Sequence, residues 1–284
     1  MTGPRATLPA ASAPVPAASG ATARQDLKIA VMWGVLAALS VAALVPYLMQ
    51  TMPQYFAQLP LPLGALVAVQ SAQALVLMGL LAWLGLRMGH RVGLGSPVLH
   101  AWLVRRAQPH WAQLRPRQAV LLGLAAGAVI LALAALGDGF LPEPVNPPAQ
   151  TAAAVSAWNG LLASFYGGIV EELQLRLFLM TLLLWLVARL RGSAPPPAAF
   201  WAAIITAALL FGAAHLPAAA HIWGLDATVV ARTLLLNGIG GLVFGWLYWK
   251  RGIEMAMLAH FATDVVLHVV APLLSPLLAT GSAP

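Results

Sequence analysis

Seven long apolar runs, separated by short stretches of polar or charged residues, dominate the pattern along this chain. A helix that crosses the hydrocarbon core of a membrane needs about 20 predominantly apolar residues, and each run approaches or exceeds that length. The pattern therefore predicts an all-α fold, a polytopic transmembrane helical bundle with seven spans. The runs cover residues 29–49, 62–86, 118–136, 151–190, 198–215, 228–249 and 253–273.

The fourth run is too long for a simple span, because residues 151–190 would measure about 60 Å as one helix, twice the hydrocarbon thickness. Arg189 and Arg191 mark its end, whereas residues 137–150 contain no Lys or Arg. The run must therefore cross an odd number of times, and three crossings do not fit. We expect one long helix, tilted or broken at Gly167–Gly168, with eight spans in total as the alternative to seven.

Positive charge alternates between the polar stretches, as it does in proteins with a fixed orientation in the membrane. The loop at residues 87–117 contains six arginines, while residues 137–150 and 216–227 contain no Lys or Arg. By the positive-inside rule, the basic loop and the N-terminus lie in the cytoplasm. Within this loop, apolar residues and Trp102 in the 97–115 stretch predict an amphipathic helix on the membrane surface.

Composition agrees with a membrane protein and excludes several other classes. Hydrophobic residues make up 61% of the 284 residues and charged residues 8%, whereas a soluble domain carries about 25% charged residues. The net charge of +7 does not indicate a nucleic-acid partner, because the chain offers no contiguous basic face on a soluble domain. The absence of cysteine excludes disulfide bonds and thiolate chemistry. The expected partner of the bundle is membrane lipid.

The runs also divide the chain into parts. Residues 1–28 are predicted to form a disordered N-terminal tail, because their many Ala, Pro, Ser, Thr and Gly residues cannot bury a core. Residues 29–136 contain three transmembrane helices and the basic loop, residues 151–273 contain the remaining helices, and residues 274–284 form a C-terminal tail. The predicted localisation is the plasma (inner) membrane of a bacterium.

Three of the eight acidic residues, Glu171, Glu172 and Asp264, lie more than two turns inside apolar runs, where an ionised group costs several kcal/mol unless it is paired or hydrated. Glu172 and Arg176 have the i, i+4 spacing at which a helix places an acid beside a base. Glu171 is rotated by about 100° from Glu172 and does not share this partner. One glutamate is thus neutralised and the other is free for chemistry. A purely structural triad is the alternative.

Two further helices carry histidines. His215 ends the fifth run, and His260 and Asp264 share one face of the seventh helix because their spacing is also i, i+4. His268 lies about 12 Å along the axis from His260 and is left outside the site. Each feature alone is compatible with packing. Together, a general base, two imidazoles and a further carboxyl can activate a water and stabilise an oxyanion, with or without a metal.

The order of these motifs resembles the CPBP family, which comprises the CAAX prenyl proteases and bacteriocin-processing proteins and is also called the Abi family. The resemblance implies an intramembrane endopeptidase of the glutamate or metalloprotease type, with residues 151–273 as its catalytic helical core. The motifs are Glu171-Glu172-x-x-x-Arg176, Phe211-x-x-x-His215 and His260-x-x-x-Asp264, each on a separate predicted helix.

The resemblance also implies a role for each motif residue. Glu171 would activate the water, with His215 as its partner. Glu172 and Arg176 would hold the helix and the first glutamate in place. His260, with the residue four positions further on, would stabilise the tetrahedral oxyanion or bind a metal.

Two positions depart from the family pattern. The family often has Gly after the motif arginine and Asn at the last position, where this chain has Leu177 and Asp264. An ionised Asp264 repels an oxyanion. Asp264 therefore carries a proton, which burial favours, orients a neighbour, or binds a metal together with His215 and His260. Carboxylate and imidazole are zinc ligands, so Zn2+ is the expected cofactor if a metal is bound.

Such a protease would act on a membrane-associated peptide or protein, with CAAX-type prenylated tails among the candidates. Two other classes stay open. A catalytically silent membrane interaction or immunity protein would use the polar cluster for packing only. A proton-coupled transporter would use it as a relay, although transporters tend to have inverted repeats and the polar positions here all lie in the C-terminal half.

Overall fold

Seven helices in the computed structural model, which describes residues 21–57 and 59–274, are long and apolar enough to cross a membrane. No strand occurs in these two ranges. The prediction of an all-α polytopic bundle with seven spans is therefore confirmed. The helices are α1 (Ala23–Thr51), α2 (Leu63–Val92), α3 (Trp111–Phe140), α4 (Ala153–Arg191), α5 (Pro197–Trp223), α6 (Ala227–Arg251) and α7 (Ile253–Leu274).

Helix α1 begins directly after Thr22, before the first apolar run. The Thr22 hydroxyl accepts a hydrogen bond from the Gln25 backbone N–H, and the Gln25 side chain accepts one from the Thr22 N–H. This capping box satisfies two donors that a helix start would otherwise leave unpaired. Residues 23–28, which were predicted to belong to the disordered tail, are therefore helical. Residues 1–20 of that tail, like residues 275–284 of the predicted C-terminal tail, lie outside the described residues.

The basic loop between α2 and α3 forms separate short helices instead of the single amphipathic helix predicted for it. Arg106 and Arg115 adopt the left-handed backbone conformation, with φ of 52° and 53°. Each ends one helical segment, because a right-handed helix cannot continue through that conformation. The short segments of the chain are Pro53–Phe56 after α1, Pro97–Leu99 and the π-helical turn His100–Arg105 in the loop, and Trp111–Leu114 at the start of α3.

Helix α4 runs without a break through the two glycines at which an interruption was predicted. Its backbone is α-helical at first, widens into π-helical turns across the two glutamates, and then returns to the α form. The single crossing is therefore as expected, but the break at Gly167–Gly168 is wrong. Wider turns of this kind are frequent at functional sites. The segments are Ala153–Phe165, Tyr166–Glu171, Leu173–Met180 and Thr181–Arg191.

Helix α7 packs against α3, α4 and α6, and a small residue permits the close approach between α7 and α3. Gly123 of α3 faces the backbone of Ala259 so closely that an added Cβ would collide with the Ala259 carbonyl oxygen. The Thr263 hydroxyl donates a hydrogen bond of 2.8 Å to the Gly123 carbonyl. Small residues allow such backbone contacts between membrane helices, and here they fix the position of α7.

The first turn of α7 also fastens the basic loop. Glu254 is half-buried, and its Oε1 atom accepts hydrogen bonds from the Ser96 hydroxyl at 2.6 Å and from the Val98 and Leu99 N–H groups at 3.0 Å each. The Ile253 N–H donates to the Gly95 carbonyl at 3.1 Å. The short helix that begins at residue 97 therefore obtains its N-terminal acceptor from a different helix, because its own preceding residue provides no side-chain cap.

Replacing Glu254 with Ala is expected to lower the free energy of unfolding by about 3 kcal/mol, because two backbone N–H groups and a hydroxyl lose a charged acceptor. Thermal unfolding in detergent micelles measures this change. Glu143→Ala removes an exposed carboxyl and is the matched control, with no change expected. Equal Tm values for both variants would contradict the role of Glu254.

Candidate functional site

The buried pair of Glu172 and Arg176 lies in the π-helical region of α4. Arg176 donates from Nη1 to Glu172 Oε1 at 2.8 Å, and both side chains have 0% exposure. Two aromatic rings cover the guanidinium, Phe211 of α5 at 4.8 Å and Phe244 of α6 at 5.4 Å from its central carbon to each ring centroid. The ion pair expected from the spacing is present, and it lies where three helices meet.

Glu172 has a second partner that the sequence did not reveal. The Nδ1 atom of His260 lies 2.8 Å from the same Oε1 atom, so that the imidazole donates its Nδ1–H to the carboxylate. The Phe244 ring stacks on the imidazole, with 4.4 Å between centroids and 18° between planes. Both contacts fix the orientation of His260 and leave its Nε2 atom to face the neighbouring glutamate.

Glu171 lies between the two histidines. Its Oε2 atom is 3.7 Å from His260 Nε2, and its Oε1 atom is 3.9 Å from His215 Nε2. These distances exceed a direct hydrogen bond, so that the three side chains face one another around a point that a polar molecule such as water can approach. The Glu171 side chain is 20% exposed, whereas that of Glu172 is fully buried. The adjacent glutamates thus have different environments, as their rotation about the helix predicted.

His215 reaches this site from the point where α5 changes from its first segment, Pro197–Ala214, to its second, Leu216–Trp223. Its Nδ1–H donates to the Phe211 carbonyl one turn earlier, at 2.8 Å. Phe211 also contacts the imidazole edge-on at 4.7 Å. The hydrogen bond to the Phe211 carbonyl engages Nδ1. The Nε2 atom, which faces Glu171, is left to act as an acceptor.

Asp264 lies one turn beyond His260 on α7, as their spacing predicted, with Oδ1 at 3.7 Å from His260 Nε2. Gly167 of α4 faces this pair. An added Cβ at position 167 would collide with Asp264 Oδ2 and lie 3.1 Å from His260 Nε2. A glycine is therefore needed there to make room for the polar groups of α7.

All six residues proposed from the sequence form one connected cluster, and one excluded residue lies outside it. His268 contacts the Tyr47 ring of α1 at 5.4 Å, consistent with its exclusion. Sequence reasoning missed Phe244 and Gly167. Phe244 is one apolar residue in an apolar helix and gives no signal of its own. The cluster contains Glu171, Glu172, Arg176, His215, His260 and Asp264.

A metal site made of His215, His260 and Asp264 would need ligand atoms grouped around one point. Within residues 21–57 and 59–274, no group of three or more His, Asp or Glu side chains is arranged to hold a metal ion. Of the trio His215, His260 and Asp264, the last two contact each other, at 3.7 Å. The Nδ1 atom of His260 is already bonded to Glu172. These residues as placed do not fit a zinc ion, so no step below is derived through a metal.

Comparison with known proteins gives one match. The family model described as type II CAAX prenyl endopeptidase Rce1-like matches residues 153–266. These residues include the whole cluster, while the three preceding helices lie outside the match. Neither the curated proteins nor the solved structures give a significant match. Over residues 153–266, which are less than half of the chain, the protein is similar to the Rce1-like type II CAAX prenyl endopeptidases, and this match agrees with the resemblance seen in its motifs.

Proposed function

We propose that this protein hydrolyses peptide bonds inside the membrane with a water that Glu171 activates. One observation carries the proposal: both oxygens of Glu171 lie 3.7–3.9 Å from histidine Nε2 atoms. The other ring nitrogen of each histidine is already engaged, by Phe211 in one case and by Glu172 in the other. A partly exposed carboxylate between two oriented imidazoles is suited to hold and deprotonate a water.

In the proposed reaction, the water lies between Glu171 and His215 Nε2, and its proton passes to the Glu171 carboxylate. The water oxygen bonds to the carbonyl carbon of the substrate, and the carbonyl electron pair moves to its oxygen. The carbon–nitrogen bond then breaks. The leaving nitrogen receives the proton held by Glu171, and the substrate is divided into a carboxyl and an amine product. The carboxylate of Glu171 returns to its starting state.

The oxyanion would form beside His260 and Asp264. A protonated His260 presents its Nε2–H to the oxyanion, while its Nδ1–H continues to donate a hydrogen bond to Glu172. A protonated Asp264 can donate a second hydrogen bond, as the amide would in relatives with Asn at this position. Donors fixed in advance at the point where charge develops are a major source of rate enhancement. We therefore assign Asp264 to the oxyanion as a neutral acid.

We assign Glu172 and Arg176 as positioning residues, because neither side chain is exposed to a substrate. Arg176 supplies the charge that lets Glu172 stay ionised in the core, and Glu172 orients His260. The contrast between buried Glu172 and partly exposed Glu171 and His215 also favours catalysis over a silent packing role. A cluster used for packing alone gains nothing from leaving two ionisable side chains partly open.

The proposed substrates are membrane-associated peptides with CAAX-type prenylated tails, the class that the family description indicates. The basic loop is proposed to face the cytoplasm by the positive-inside rule, in the inner membrane of a bacterium. In this orientation α7 enters the membrane at its basic end, and His260 lies seven residues, about 10 Å, from its start at residue 253. A cytoplasmic tail would therefore reach the site from the basic end.

Glu171→Gln is expected to reduce cleavage of a prenylated peptide by at least 100-fold, because the amide keeps the shape of the side chain but cannot accept the proton. Peptide hydrolysis in detergent or liposomes measures the rate. The Tm should stay within a degree or two of the wild type, and Glu143→Gln is the matched control at an exposed glutamate. Normal cleavage by Glu171→Gln would show that another group activates the water.

Arg176→Ala is expected to lower the free energy of unfolding by about 3–5 kcal/mol, because it leaves the Glu172 carboxylate buried without its cationic partner. Thermal unfolding and the folded yield in detergent both report this loss. Arg191→Ala removes an exposed arginine from the end of the same helix and should leave the Tm unchanged. An unaltered Tm for Arg176→Ala would refute the role assigned to the ion pair.

Asp264→Asn is expected to retain activity within about tenfold, because the amide donates to an oxyanion as a neutral carboxylic acid does. The rates of peptide hydrolysis by the wild type and the variant, measured side by side, give this ratio. Asp138→Asn, at an exposed position, is the control. Complete loss of cleavage in Asp264→Asn would instead require an anionic carboxylate.

A further inference from the structure

A cavity lies at the basic end of the bundle, outside the residues matched by the family model. Its volume is about 430 Å³, within the range of small-molecule sites. The first turns of α1, the last turns of α2 and the basic loop enclose it. The polar side chains of its wall are Asp26, His90, Ser96, His100, Arg105, Gln108, His110 and Gln113.

The acid in this wall is already neutralised. Asp26 is 1% exposed and is the only acidic residue among the described residues that line the cavity. It accepts a hydrogen bond from Arg87 Nη1 at 3.0 Å, and His90 Nε2 lies 2.9 Å from its Oδ2 atom. No carboxylate therefore remains in the wall to balance Arg105, and the cavity has an excess of positive charge.

One buried polar atom in the wall has no hydrogen-bond partner among the described residues, and one imidazole there is disfavoured from taking up a proton. The Nδ1 atom of His90 is buried, and none of the described residues gives it a hydrogen-bond partner. Burial lowers the pKa of the His100 imidazole, and the nearby Arg105 lowers it further. The cavity is thus a place where added positive charge is disfavoured and an anion would be stabilised.

The loop around the cavity has the features of the membrane–water interface. Trp102 and Trp111 pack edge to face at 6.2 Å, and their rings are exposed. Tryptophan rings gather at the level of the lipid head groups. Arg106 and Arg115, which bound the segment between them, both hold the left-handed backbone conformation. Non-glycine residues keep this costly conformation only where the surroundings enforce it, so the loop has a defined shape.

We propose that this cavity binds a phosphate-bearing anion, and that the head group of an anionic phospholipid is its occupant. Arg105, His100 and His110 supply the donors, and the wall contains no free carboxylate to repel a phosphate. Basic pockets at the cytoplasmic ends of membrane helices are suited to such head groups, and charge-assisted hydrogen bonds to phosphate are the strong ones. A soluble phosphate has the same chemistry and is distinguished by experiment.

The test is the Tm of the full chain in a non-ionic detergent, with added phosphatidylglycerol, phosphatidylcholine or inorganic phosphate. Phosphatidylglycerol is expected to raise the Tm by roughly 5 °C at a hundredfold excess over its Kd, because a ligand that binds only the folded state stabilises it. Phosphatidylcholine, which has no net charge, should raise it by less than 1 °C. Millimolar inorganic phosphate that gives the full shift by itself would overturn the lipid as occupant while supporting the anion site.

Two variants locate the effect. Arg105→Gln/His110→Gln changes exposed side chains, so that the protein should fold with its Tm in detergent unchanged, and the shift caused by phosphatidylglycerol should fall by at least half. His100→Gln, at a half-buried position, should also reduce the Tm shift caused by phosphatidylglycerol. Arg117→Gln is the control, because it removes an exposed arginine of the same loop that does not line the cavity. A shift that survives in the double variant, or falls equally in Arg117→Gln, overturns the proposal.

Discussion

The carboxylate of Glu172 is the group on which the arrangement of the site depends. A buried carboxylate in an apolar bundle is stable only with partners, and one of its oxygens accepts hydrogen bonds from Arg176 and from His260. The two donors come from different helices, so a single oxygen joins α4 to α7. The rings of Phe211 and Phe244 cover both donors from α5 and α6. The four helices therefore meet around one charge, and the geometry of the reacting groups follows from it.

The adjacency of the two glutamates explains how the same short segment provides both structure and chemistry. Neighbouring residues on a helix point about 100° apart, so that Glu172 faces the core while Glu171 faces the opening between His215 and His260. The backbone is π-helical on both sides of this dipeptide. Such widening needs support from packing, and the paired Glu172 supplies it directly beside the residue proposed to act on water. A mutation of Glu172 therefore tests the packing of the site, whereas a mutation of Glu171 tests the proposed chemistry.

Local spacing predicted the contacts within single helices of this site. The contacts between residues far apart along the chain could not be predicted in this way. The pairs Glu172–Arg176 and His260–Asp264 follow from the i, i+4 rule, and the structure contains both. The bond between Glu172 and His260 joins residues 88 positions apart, and no local rule predicts it. Counting about 1.5 Å per residue from the basic ends places Glu171 near 25 Å deep and His260 near 14 Å. Their side chains nevertheless lie 3.7 Å apart, since that count ignores helix tilt and the shorter rise of wide turns.

The three helices before the matched region take part in the same construction. Gly123 of α3 gives α7 its backbone contact at Ala259, directly before His260, and accepts the hydroxyl of Thr263, directly before Asp264. At the start of α7, Glu254 holds the loop that forms one wall of the basic cavity. The position of α7 along its axis is therefore set by contacts with α3 and the basic loop, while its rotation is set by Glu172. Because His260 and Asp264 depend on both, the helices that carry the polar cluster cannot be separated from the N-terminal helices without losing the constraint that aligns them.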